Sequence, residues 1–427
     1  MQDIDFNKDR AFAVLLDEKD PLKEFRKKFN IPKTETGKDI IYFLGNSLGL
    51  QPKETKKHID YILQNWNDLG VEAFFLGENQ WLKIPKKIHQ SLGRILGAEE
   101  TEIVIMNSLT VNLHLMLVSF YHPSQKKFKI LTEEHIFPTD LYAITSQIKF
   151  HGFDPETAII TIKSRPGETT LRTEDILDVV EKEADSLALI FLGGTNYYTG
   201  QVFDVESITS KGHEKGILVG FDLAHSVGNV ILSLHKWNVD FAVFCSYKYL
   251  NGGPGGAGGC FVHKKHHKKY FKPRLEGWWG NKLETRFQML EKIDPIAGAE
   301  GWQLSTTSPL LLAMIKASMN LFDQTTMEEL RNKSILLTGY LEYLIKQVNT
   351  DDIKIITPKQ SEQRGCQLSI QTKKNGKELF DYLTRNNIFC DWREPDVIRL
   401  APVPFYNTFR EIYEFYLVLS AFILDQK

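Results

Sequence analysis

The sequence predicts an α/β protein, with a large domain built on a mostly parallel sheet between helices and a smaller α+β domain at the C-terminal end. Three observations predict it. Short apolar runs alternate with helical segments between about residues 101 and 262. Those runs are apolar throughout instead of alternating with polar residues, as strands covered on both faces are. Beyond Pro309 the pattern lengthens into long helices, followed by an alternating strand.

The runs in order are 102–106 (EIVIM), 128–131 (FKIL), 158–162 (AIITI), 187–192 (LALIFL), 217–221 (ILVGF) and 241–244 (FAVF). The helix from Thr173 to Asp185 opens with Glu174 and Asp175, acids that oppose the helix dipole in its first turn. A long helix begun at Thr325 or Thr326 carries Leu330, Leu337, Leu341, Leu344 and Val348 on one face. Residues 367–371 (QLSIQ) alternate as a strand does, and a last helix follows Thr408. The expected division is an N-terminal arm (1–50) packing with the small domain, a large domain (51–305) and a small domain (306–427).

At 427 residues and 42% apolar composition the chain can bury a large core. A net charge of -2 gives no basic field for nucleic acid. The local run His263, Lys264, Lys265, His266, His267, Lys268, Lys269 lacks interleaved aromatics, crowds a cation with lysines, and reads as a solvated helix start; no metal site is expected. Residues 1–28 are charged throughout and hold no apolar signal core, and the apolar stretch 416–424 is too short to span a bilayer. No membrane association is expected. The cysteines Cys245, Cys260, Cys366 and Cys390 have neither a zinc nor a redox spacing, which suggests the reducing cytoplasm.

The chemistry concentrates at two strand ends. Lys248 follows one apolar run and precedes the glycine-rich segment 252–259 (GGPGGAGG), while Asp222 and His225 follow the run before it. A lysine amine on one side and a carboxylate on the other suit pyridoxal phosphate. The amine condenses with the cofactor's aldehyde, and the ring is an electron sink only while its nitrogen stays protonated. Asp222 supplies the charge that keeps it so, and His225 is expected to orient that carboxylate from behind. A phosphate needs backbone N–H groups and hydroxyls, and Thr110 stands at a helix entrance after the strand ending at Met106. Phe137, after the next strand, is placed to lie flat against a planar ring.

These residues, read with several others in order, resemble the kynureninase family. The resemblance runs almost end to end through 42–52 (YFLGNSLGLQP), 106–115, 137–140 (FPTD), 197–201 (YYTGQ), 221–229, 246–251, 277–280 (GWWG), 364–367 (RGCQ) and 398–404 (IRLAPVP). It implies a fold-type I pyridoxal-phosphate enzyme of the class V aminotransferase group, acting as a homodimer in tryptophan degradation and NAD biosynthesis. The implied reaction cleaves L-kynurenine or 3-hydroxy-L-kynurenine hydrolytically between Cβ and Cγ, giving anthranilate or 3-hydroxyanthranilate and L-alanine.

By that resemblance Lys248 holds the cofactor and moves the Cα proton, Asp222 pairs with the ring nitrogen and Phe137 stacks on the ring, within the motif completed by Pro138, Thr139 and Asp140. Leu109, Thr110, Tyr247, Trp278 and Thr306 match positions that hold the cofactor, mainly its phosphate, and His225 supports the site. Tyr247 is the candidate proton donor to Cβ and the γ-oxygen. Ser47 and Arg399 contact substrate, with Arg399 clamping the α-carboxylate through its planar fork. The chain departs from the family in having no histidine between Val71 and Trp81, where Phe74 or Phe75 takes that space, and in having Thr306 where some relatives carry asparagine. Two alternatives are a cysteine desulfurase or selenocysteine lyase, which needs a mobile cysteine such as Cys366, and a catalytically silent pyridoxal-phosphate-binding protein.

Overall fold

The computed structural model describes residues 5–78, 80–267 and 274–425. An N-terminal arm carries helix α1 (Arg10–Lys19) and the short strand β1 (Ile41–Tyr42). The large domain begins with α2 (Thr55–Leu69) and α3 (Ile84–Leu96). It continues through β2 (Ile103–Ile105), α4 (Leu109–Phe120), β3 (Lys129–Glu133), α5 (Pro138–Phe150), the single turn α6 (Pro155–Ala158), β4 (Ile159–Ile162), α7 (Thr173–Glu183), β5 (Leu187–Gly193), α8 (Val205–Glu214), β6 (Leu218–Asp222), β7 (Phe241–Cys245) and β8 (Gly258–Val262). The seven strands pair in the order β2-β8-β7-β6-β5-β3-β4. Strands β4, β3, β5, β6 and β7 are mutually parallel, and β8 runs antiparallel to both β7 and β2.

The uniformly apolar runs are explained by this placement. On β5, Ile190 and Leu192 enter one core with Ile176 and Val180 of α7, while Leu189 and Phe191 enter the opposite core with Met116 of α4 and Ile144 of α5. Each such side chain, fully buried, contributes roughly 1.5–3 kcal/mol. The six runs read from the sequence correspond to β2 to β7. Strand β8 hides in the glycine-rich segment because two of its residues must be small: a Cβ on Gly259 would lie 2.3 Å from the Phe244 ring of β7.

After the single turn α9 (Leu283–Arg286), helix α10 (Pro309–Phe322) packs on α2 and α3. Its Leu312, Ile315 and Met319 belong to the large-domain core, which also takes in Met327 and Leu330 at the start of the next long helix. Helix α11 (Met327–Gln347) is opened by a reciprocal cap in which Thr326 and Glu329 each accept the other's backbone N–H. Its Leu337, Leu341 and Leu344 enter the second core. The small domain is completed by β9 (Ile353–Ile355), β10 (Leu368–Thr372), α12 (Gly376–Arg385), β11 (Ile388–Phe389), β12 (Asp391–Arg393), β13 (Val397–Leu400) and α13 (Phe409–Asp425), with an antiparallel sheet ordered β12-β13-β10-β9. The arm meets both domains: β1 pairs with β11 and α1 packs on α13, while Leu22, Phe25 and Phe29 enter the large-domain core.

The basic run is not a solvated helix start. His263 and His266 are buried, and His266 Nε2 lies 2.8 Å from the carboxylate of Asp240, just before β7; Lys268 and Lys269 lie outside the described residues. Among the described residues no helix is long and apolar enough to cross a membrane.

Candidate active site

Because β2, β3, β5, β6 and β7 run the same way, their carboxyl ends share one edge of the sheet, where open α/β sheets bind their ligands. Asp222 ends β6, and Lys248 lies three residues beyond the end of β7. Both line one pocket with Ser108, Leu109 and Thr110 of the α4 entrance, and with Phe137, Thr139 and Asp140 of the α5 entrance. His225 and Tyr247 complete the sequence-predicted part. Pro138 occupies the first turn of α5, where its missing N–H costs nothing.

The pocket is electrostatically unusual. Asp222 is buried, accepts the Ala224 N–H at 2.7 Å and shares a hydrogen bond with Asp140. Burial raises the Asp222 pKa, opposed by the Lys248 charge and these hydrogen bonds. Asp140 is raised well above the usual carboxylate range by burial, by the Asp222 charge and by their shared hydrogen bond, so it is the member that keeps the proton. Its Oδ1 is buried without a hydrogen-bond partner. Glu133, at the end of β3, accepts the Gly193 N–H at 3.1 Å and is pushed up to about 7, chiefly by burial. Three carboxyl groups therefore face a single amine, an environment in which a protonated ring nitrogen would be welcome.

His225 differs from expectation. Its Nε2 lies 3.0 Å from Lys248 Nζ, so it contacts the amine and not the Asp222 carboxylate. Burial and the neighbouring Lys248 hold its pKa well below the ordinary value, and the neutral ring nitrogen accepts from the ammonium. The Phe137 ring lies 5.7 Å from the same Nζ and meets Tyr197 edge-on at 5.1 Å. Burial and contact with Cys245 raise the Tyr247 phenol, which stays protonated at neutral pH.

Arg399, on β13, is 1% exposed, which excludes an ordinary surface salt bridge. Its guanidinium donates to Tyr197 O at 2.9 Å, to Ser47 Oγ at 3.4 Å and to Asp391. Ser47 itself donates to Asp391 at 2.6 Å. Tyr197 joins this cluster to the Lys248 pocket, which it lines. The arm segment bearing Ser47 is held by Gly49, whose N–H donates to Tyr247 O at 2.8 Å; a Cβ there would lie 2.3 Å from Lys248 O.

Two expected residues do not join the pocket within one chain. Trp278 is 45% exposed and donates through Nε1 to Arg286 O, while Thr306 lines a different cavity with Phe74, Trp81 and Trp279. Sequence reasoning missed Glu133, Thr195 and Asp391 altogether. The first two sit at strand ends of the same edge, which is the signal that was available; Asp391 carries none. Cys366 is fully buried, with its thiol pushed up to about 11 by burial, and is no mobile nucleophile.

The groups fit pyridoxal phosphate: an amine, an opposing carboxylate pair, an aromatic face, and a helix entrance whose first-turn N–H groups suit a phosphate. Comparison with known proteins agrees. Residues 330–419 match the family model described as the kynureninase C-terminal domain. The chain is 48% identical to a kynureninase of Koribacter versatilis, covering 96% of this chain and 97% of the relative. It is 48% identical to one of Mus musculus (98% and 94%) and 47% identical to one of Homo sapiens (98% and 93%). Among solved structures, a cysteine desulfurase from Thermococcus onnurineus superposes with a TM-score of 0.75 at 15% identity, covering 94% of this chain and 98% of that one. A cystine C–S lyase in complex with cysteine persulfide gives 0.75 at 16% identity (89% and 97%). At such identities these last two speak for the fold alone.

Proposed function

The chain belongs to the kynureninase family, and from that membership we propose how its own residues carry out the hydrolytic Cβ–Cγ cleavage of L-kynurenine to anthranilate and L-alanine. It is a pyridoxal-phosphate enzyme of tryptophan catabolism. When bound, that cofactor supplies an aldehyde for amines and a protonated ring that accepts electrons. The observation that carries the assignment of roles is the Lys248 amine and the Asp222 carboxylate lining one pocket.

Lys248 holds the cofactor and then moves the proton at substrate Cα, with neutral His225 accepting from the amine when it is charged. Asp222 keeps a proton on the ring nitrogen, and Asp140 supports it by donating a hydrogen bond. Thr110 and the entrance of α4 would hold the cofactor's phosphate, and Phe137 would offer its ring an aromatic face. Arg399 and Ser47 receive the α-carboxylate, where Asp391 now occupies the guanidinium. Water adds to the γ-carbonyl, the Cβ–Cγ bond breaks, and the protonated Tyr247 phenol delivers its proton at Cβ.

A second copy of the chain completes this reading. The exposed aromatic ridge of Phe75, Phe287 and Trp278, in which adjacent rings meet at 5.7 and 5.5 Å, would be covered by a partner. Trp278 and Thr306 would then reach the partner's cofactor phosphate. A cytoplasmic location belongs to the same proposal, supported by four cysteines that are all buried free thiols.

The test is anthranilate release from L-kynurenine by the purified, yellow protein. Lys248→Ala is expected to lose the yellow colour of the lysine-bound cofactor and all steady-state turnover. A variant retaining wild-type activity would overturn the role of Lys248.

A further inference from the structure

Helices α2, α3 and α10 enclose a cavity of ≈ 550 Å³ that shares no lining residue with the Lys248 pocket. Its walls follow from helical spacing. Lys57 and His58 on α2, Lys87 on α3 and Lys316 on α10 line it, with Lys83 at the turn before α3; Lys57, Lys83 and Lys87 are exposed, and His58 and Lys316 are half-buried. Only Glu54 and Glu78 oppose these four lysines in the lining.

The positive charges are incompletely balanced. Lys57 lies 3.7 Å from Glu54, whereas neither Lys83 nor Lys316 makes an ion pair with any described residue. Lys316 is half-buried; its pKa is lowered by burial and by Lys87 and Arg94, against the pull of Asp323. His58, whose Nε2 lies 3.3 Å from the amide of Asn320, is lowered by burial and by Lys316. Burial is the larger cause in both groups, and the neighbouring positive charges push them the same way.

We propose that this cavity binds a small polyanion of the phosphate or polycarboxylate class, held by Lys83, Lys87 and Lys316. An anion there restores the balance through charge-assisted hydrogen bonds from the lysine amines. It would also bridge α3 to α10, the helix that begins just after Thr306 and Thr307. The Thr307 hydroxyl donates to Ile105 O at 2.8 Å, which ties this end of α10 to β2.

The holoenzyme, whose cofactor phosphate site is already filled, is titrated calorimetrically in low salt with pyrophosphate and, separately, with citrate. One saturable site per chain is expected for at least one anion. Affinity should weaken by about tenfold or more in both Lys316→Met and Lys83→Met, with anthranilate release in the absence of anion unchanged. Binding of pyrophosphate alone assigns the site to phosphates, and of citrate alone to carboxylates. Absence of saturable heat for both anions at millimolar concentration overturns the proposal. So does undiminished affinity in the variants, and the exposed Lys83 keeps the test open if Lys316→Met does not fold.

Discussion

Asp140 and Asp222 share a hydrogen bond at the floor of the Lys248 pocket, and the proton resides on Asp140 because burial and the Asp222 charge both favour its neutral form. Asp222 is thereby left as the anion facing the lysine. Asp222→Ala is expected to keep the cofactor, held through Thr110 and the entrance of α4, and to lower kcat by a factor of about 10² or more. Absorbance of bound cofactor and turnover, measured on one preparation, separate the two effects. Unchanged values of both would reduce Asp222 to a cap for the turn at Ala224.

Arg399→Met is expected to raise KM far more than it lowers kcat, because the clamp acts on substrate and transition state alike. The loss in affinity is about 2–5 kcal/mol for a buried charge pair. Substrate analogues lacking the α-carboxylate should lose little binding in the variant. Equal inhibition of the wild type by analogues with and without that carboxylate contradicts the role.

Asp240 supplies a pH-dependent part of the stability. Burial alone would raise its pKa, but hydrogen bonds from His213 and His266, and the charge and hydrogen bond of Lys265, pull it well below the ordinary range. An aspartate depressed in the folded state stabilises fully above its unfolded value of about 3.9, and that contribution is lost as pH falls further toward the folded value. Asp240→Asn is expected to cost about 3–5 kcal/mol at neutral pH. The Tm difference from wild type should shrink below about pH 4; a constant difference across the acid limb would refute this origin.

The ring pocket is expected to be apolar. Between Val71 and Trp81 stand Phe74 and Phe75, which lie outside the Lys248 pocket of their own chain and would reach the ring from a second copy; Phe75 meets Phe287 edge-on at 5.7 Å. An apolar pocket separates substrates differing by one hydroxyl by only about 1–3 kcal/mol, and burying that hydroxyl without a partner costs free energy. L-kynurenine should therefore show kcat/KM at least equal to that of 3-hydroxy-L-kynurenine. A preference of about a hundredfold for the hydroxylated substrate, near 2.7 kcal/mol, would reveal a polar reader of the ring, and Thr306, Ser305 and Asn46 are the first to replace.

Strand ends are legible in a linear chain, which is why Asp222, Lys248 and Thr110 could be named from apolar runs and the residues following them. Each lies within a few residues of the run that positions it, so local spacing carries the information. The same holds for the cap at Thr326 and Glu329, where both partners lie within one helical turn. Strand β8 escaped because Gly258 and Gly259 remove the apolar signal where neighbouring groups leave no room for a side chain.

Other relationships existed only once the chain had packed. His225 meets the Lys248 amine across a gap of 23 residues, and Asp391 reaches Ser47 across 344. Glu133 lies beside Gly193 because β3 pairs with β5, although β4 separates them in the chain. Trp278 and Thr306 carry the family pattern yet stand outside the pocket of their own chain. Spacing along a strand or helix is set by local backbone geometry, whereas these meetings are set by which apolar faces bury one another, and that is a property of the assembled cores.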